Sequence, residues 1–280
     1  MHLVCLGVVK KLLSAWISGK FSRAAKLSGR SINVICHKLE ILRQYCPSDF
    51  ARRSRSISVY SKYKATELRQ FLLYTDPIIM YGLLGEQFYK HFLLLHCAIR
   101  VLVSKSSSRQ LLHFAELALQ KFVLRSDNLY GTTFASYNVH GLLTNDVRRL
   151  GSLDSYSAFP YESNMSIFRK YCRKPGLPLQ QFFNRIREIQ IHGTSYNQEE
   201  DSSIRVSMPL NNGAVFPQYR KTQFKKILLS VNVRDNCCML ENGSICIVSN
   251  IFVRNSSYYL EVRKFLKVDN FYDIGVILIC

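Results

Sequence analysis

The chain reads as an α+β protein, with a mostly helical region over residues 1–195 and a small β-rich barrel or sandwich over residues 196–280. Three observations give this reading. Apolar residues recur at three- and four-residue steps until about residue 190, the period of a helix face. Beyond residue 204, short runs rich in Val, Ile, Tyr and Phe are separated by turn residues, the pattern of strands. Between the two lies a polar linker, residues 196–203, which carries Glu199-Glu200-Asp201. Of the 280 residues 48% are hydrophobic and 20% charged, a globular composition rather than a disordered one.

The elements follow in order. Ile32, Ile35, Leu39 and Leu42 mark a first helix, for which Ser31 is placed as N-cap. Ala65, Leu68 and Phe71-Leu72 mark a second, expected to stop at Asp76-Pro77. Residues 88–103 form a long apolar helix, the expected centre of the core. Leu111, Phe114-Ala115, Ala118-Leu119 and Phe122 make a further stripe, and Leu179, Phe182-Phe183, Ile186 and Ile189 make the last. Basic, serine-rich connectors occupy residues 48–58 and 104–109. Five strands are expected at 204–208, 224–231, 237–240, 245–253 and 258–265. Asn242-Gly243 suits the positive φ angles of a tight hairpin turn between the third and fourth.

Charge and cysteine usage narrow the function. The excess of 38 Lys+Arg over 19 Asp+Glu, a formal net charge of +19, favours a polyanionic partner, nucleic acid before membrane. Residues 1–60 hold eleven basic residues against Glu40 and Asp49. Lys10 and Lys11 belong to this group, as do Arg52, Arg53 and Arg55, which are either a phosphate-contacting arm or a solvated loop. Arg148-Arg149 and the Arg169, Lys170, Arg173, Lys174 cluster are further candidate DNA contacts. Nine cysteines include no C-x-x-C, and His96-Cys97 in an apolar helix reads as a core pair rather than a ligand pair. The longest greasy run, 92–103, is interrupted by His96 and Arg100 and falls short of the ~20 residues of a spanning helix. No signal peptide is recognisable at Leu3 to Val9. An intracellular protein, nuclear or cytoplasmic, is expected.

Candidate chemistry concentrates between residues 137 and 162, where His140, Asp146, Asp154, two arginines and Glu162 gather. Glu162 follows Phe159-Pro160 and falls in the first turn of a helix. A carboxylate there is either a partner of the helix dipole, worth ~0.3–1 kcal/mol, or a metal-binding acid.

Six blocks in order resemble the CACTA-type (En/Spm-like) DNA transposases of animal genomes. They are Met1 to Leu13 with Trp16, Lys64 to Tyr74, His91 to His96, Tyr137 to His140, Ser157 to Glu162, and Glu241 to Ser244 with Arg263 to Leu266 and Asp269 to Tyr272. The resemblance implies a cut-and-paste transposase with a ribonuclease-H-like core. Such a core holds two Mg²⁺ ions on an Asp, Asp, Glu triad, with a helical insertion before the Glu. Glu162 matches the last acid and sole metal ligand in this stretch, with His140 and Asp146 as supporting catalytic positions. Both family aspartates would lie ahead of Met1, so the chain as given is expected to be inactive in DNA cleavage and strand transfer. Magnesium is expected only where those acids are present. Residual DNA binding is the leading expectation. The alternatives are a piece of an active transposase, or an interaction module that pairs with itself or with full-length transposase.

Overall fold

A computed structural model describes residues 1–135, 145–157, 159–192, 204–210, 213–225 and 227–267. It is an α+β architecture: helices up to His192, then an antiparallel sheet from Ile204.

The first helix is built around α1 (Lys10–Leu13), extended on either side by wide π-helical turns, Leu3–Val9 and Ser14–Ser18. Val4, Cys5, Val8, Leu12, Leu13 and Trp16 on it are all buried, so it sits inside the core. Gly19 stops it with φ +72°, a left-handed conformation that costs a β-carbon dearly, and a Cβ there would come within 2.9 Å of the Lys26 side chain. Helix α2 (Gly29–Gln44) starts three residues earlier than the apolar spacing suggests. Ser28, not Ser31, is its N-cap: the Ser31 backbone N–H donates to Ser28 Oγ at 3.0 Å.

Helix α3 (Ala65–Gln70) does not stop at Asp76-Pro77. It runs through a wide turn, Phe71–Thr75, into α4 (Asp76–Ile79). Pro77, second in α4, supplies no N–H to the preceding turn, and the Leu72 carbonyl of that turn is met instead by His96 Nδ1 at 2.7 Å. Helix α5 (Glu86–Val103) is the centre of the core, as the sequence predicts, with twelve of its eighteen residues buried. It packs against α6 (Arg109–Tyr130), capped by Ser108 Oγ and ending at Gly131. Aromatic rings lock the interior. Trp16 stands edge-on to Phe92 at 5.7 Å and donates from its indole nitrogen to Tyr130 Oη at 3.2 Å. Tyr130 stacks on Phe134 at 4.5 Å, and His91 on Phe122 at 4.2 Å.

Helices α7 (Asn145–Leu150), α8 (Phe159–Tyr171) and α9 (Pro178–His192) follow. Val147 and Leu153 reach the core; described residues of α8 and α9 do not. Those two helices pair with each other, Phe168 stacking on Phe182 at 4.1 Å. The predicted stripe on α9 exists but stays largely uncovered, with Leu179 83% and Phe183 63% exposed.

Among the described residues six strands, one more than expected, form one antiparallel sheet that does not close: β1 (Ile204–Leu210), β2 (Gln218–Phe224), β3 (Ile227–Ser230), β4 (Cys237–Met239), β5 (Ile245–Arg254) and β6 (Ser257–Lys264). The run expected as a single strand at 224–231 breaks at Lys225, whose φ of +52° turns the chain from β2 into β3. Strands β2 and β5 pair only at Gln218↔Phe252 and Tyr219↔Ile251 and then diverge. Strands β3 and β4 line the gap, so the sheet splays rather than shutting into a barrel. The β4–β5 hairpin turns at Asn242-Gly243 where predicted, but only Gly243 takes a positive φ, +80°, and the Gly243 N–H donates to the Leu240 carbonyl while the Ser244 N–H donates to Asn242 Oδ1. A second tight turn joins β5 to β6 through Asn255 and Ser256, both at positive φ. A bulge between Val248 and Asn250 puts Cys246, Val248 and Ile251 on one buried face.

Candidate nucleic-acid interface

The basic residues singled out by sequence divide into those engaged inside the fold and those left facing solvent. Lys11 is engaged. Its ammonium donates to the Phe134 carbonyl at 2.9 Å and lies 5.4 and 5.5 Å from the Phe21 and Phe134 ring centres. Burial, with repulsion from Lys20 second, holds its pKa below the ordinary lysine value. Arg55 is engaged too. Its guanidinium donates to both oxygens of buried Glu67, at 2.5 and 2.9 Å, and to the Lys62 carbonyl. Glu67 also accepts from the Lys64 N–H, so Arg55 pins the start of α3. Arg148 pairs with Glu116 at 2.6 Å. For these three a neighbouring carbonyl or carboxylate takes the cationic head.

Lys10 is half-buried at the start of α1 and sits in no ion pair among the described residues. Arg52 and Arg53 are exposed on the connector before Ile57, and Arg149 is exposed in the last turn of α7. Arg169 and Lys170 close α8, where cations favour the negative end of the helix dipole. Arg173 and Lys174 lie in the turn that follows. That turn is built by Gln181 of α9, whose Oε1 accepts both backbone N–H groups at 3.0 and 3.1 Å. These four cations therefore ride on one ordered corner.

Sequence reasoning missed a second basic surface, on the sheet. Arg220 of β2, Arg254 of β5 and Arg263 of β6 are exposed, and none is in an ion pair among the described residues. The signal was present as adjacent cations within polar strands, Arg220-Lys221 in QYRKTQF and Arg263-Lys264 in SYYLEVRK. It was obscured because β2 was not recognised as a strand.

The acidic candidates are less fully placed. His140 lies outside the described residues, as do the side chains of Asp146 and Glu162. By backbone, Asp146 is second in α7, and Glu162 is fourth in α8, within its first turn as expected. Asp154, the other aspartate of the segment, pairs with Arg69 at 2.6 Å. Beside this pair, between α3 and the connector that carries Arg52, lies a cleft of about 300 Å³ lined by Arg52, Thr66, Arg69, Gln70 and Asp154. Among the described residues no three His, Cys, Asp or Glu gather as they would around a metal ion. No described helix is long and apolar enough to cross a membrane.

Two buried histidines are core residues. His96 Nδ1 meets the Leu72 carbonyl at 2.7 Å and His91 Nε2 the Phe122 carbonyl at 2.8 Å. Burial pushes His91 down to about 4 and lowers His96 as well. Next to His96, burial raises the Cys97 thiol to about 12, which makes it inert.

No curated protein and no solved structure matches the chain. A family model for a domain of unknown function (DUF8592) matches residues 180–275. The stretch similar to that domain thus starts within α9 and takes in every strand of the sheet.

Proposed function

We propose that this chain is a nucleic-acid-binding protein of CACTA-type transposase origin, holding DNA through phosphate contacts without reading sequence and without cutting it. The supporting observation is the +19 net charge, together with solvent-facing cations at Arg52, Arg53, Arg149, Arg169, Lys170, Arg173 and Lys174 that have no carboxylate partner among the described residues. Cations so placed displace condensed counterions from a phosphate backbone, which makes binding steeply salt-dependent. Fluorescence anisotropy of a labelled 30-bp duplex, titrated from low to high salt, tests this. The slope of log affinity against log salt is expected at about −0.9 per phosphate contacted. Changing Arg169, Lys170, Arg173 and Lys174 together to Ser should lower that slope by about 3 to 4. Binding that ignores salt refutes the reading.

A second reading, an assembly module that pairs with itself or with full-length transposase, is favoured by one observation. Leu179, Phe183 and Ile189 on α9 form an exposed apolar stripe. Light scattering that finds a monodisperse monomer at all concentrations would exclude self-pairing.

A further inference from the structure

We infer that the sheet binds single-stranded nucleic acid, its unpaired bases stacking on a row of aromatic rings; this rests on the nucleic-acid reading above. The row crosses three segments. Phe252 of β5 and Tyr259 of β6 are register partners whose rings lie 5.4 Å apart at 13°, nearly parallel. Phe216, just before β2, stacks on Phe252 at 6.5 Å and 29°. The Arg254 guanidinium closes the row 5.1 Å over Phe216. Tyr259 is 45% and Phe216 37% exposed, so the row is open at the surface rather than part of the interior.

The charge around these rings selects the partner. Residues 204–267 carry ten Lys+Arg against three Asp+Glu. Arg220 lies two residues beyond Gln218, the register partner of Phe252, and so shares its face. Rings that offer π faces beside guanidinium groups match bases joined by phosphates. A duplex cannot use the rings, because its bases are already stacked and paired, whereas an unpaired strand presents them. Glu261, on the same face between Tyr259 and Arg263, repels a phosphate there and directs the strand's backbone toward Arg220 and Arg254.

The test uses the full chain with a labelled 20-mer oligo(dT) and a duplex of equal length. Oligo(dT) should bind more tightly than duplex. Combined Phe216→Ala and Tyr259→Ala should weaken oligo(dT) by about 5- to 100-fold while leaving duplex affinity unchanged. Tyr259→Phe should retain the wild-type value, since only the ring is needed. On the unaltered chain, a 5-iododeoxyuridine oligonucleotide should photo-crosslink to a peptide containing Phe252 or Tyr259. Equal binding of both nucleic acids, with crosslinks confined to the helical region, overturns this inference yet leaves salt-dependent DNA binding standing. Failure to bind either one overturns both.

Discussion

Asp76 is completely buried, and neither of its carboxylate oxygens has a hydrogen-bond partner among the described residues. Burial alone raises its pKa well above the carboxylate range. The folded pKa therefore lies above the unfolded value of about 3.9, so the unfolded chain releases its proton first as pH rises. The side chain costs stability increasingly above about pH 4. Asp76→Asn is expected to be the more stable protein in urea unfolding at pH 8, by about 1 kcal/mol or more, with the gap shrinking toward pH 4. Equal stability at both pH values would refute an uncharged buried carboxyl. His91 works in the opposite direction. Its folded pKa of about 4 lies below the unfolded value of about 6.5, so the unfolded chain takes up a proton first as pH falls. Stability from this group is intact above pH 6.5 and lost by pH 4, on the order of 3 kcal/mol. His91→Gln should flatten that acid limb of the stability profile, and an unchanged limb would contradict a buried neutral imidazole.

Among the elements, α9 has the least covered apolar face. Phe182 is occupied by Phe168, but Phe183 on the adjoining side is not. Phe183→Ser is expected to lower the apparent molar mass of the chain in light scattering while shifting its thermal midpoint by less than about 0.5 kcal/mol equivalent. An unaltered mass would mean that this stripe mediates no association. The helices were largely legible because packing follows their period: Ile35, Leu39, Leu68, Ala118 and Phe122 are all buried where spacing puts them. Boundaries were less so. Ser28 outcompetes Ser31 because only its oxygen reaches the first free N–H groups. Strand β2 was invisible because QYRKTQF has little apolar content, its pairing being fixed instead by β1, β3 and β5 on its two edges. The corner holding Arg169 to Lys174 was readable as a charge cluster. The engagement of Lys11 and Arg55 was not, since Phe134 and Glu67 stand 123 and 12 residues away in sequence.

For the whole molecule, the decisive feature is that buried apolar residues form separate sets. The helical core draws on Val4 through Leu153, with Tyr156 the last residue packed against it, whereas the sheet has its own buried Cys246, Val248 and Ile251. Trp16→Ala should destabilise the helical core by about 3–5 kcal/mol, seen as a lowered midpoint in helix-sensitive circular dichroism. Amide exchange in β5 should stay as slow as before, and faster exchange there would show that the two sets unfold together. A polar contact joins the regions: Ser48 donates its backbone N–H and hydroxyl to Asp235 Oδ1 at 2.9 and 3.0 Å. A genetic crossover placed at residues 157–159, ahead of the α8–α9 pair, would therefore divide no apolar interior among the described residues. The sheet-bearing segment can be inherited, lost or joined to a different helical neighbour as a unit, with each half keeping its own inside.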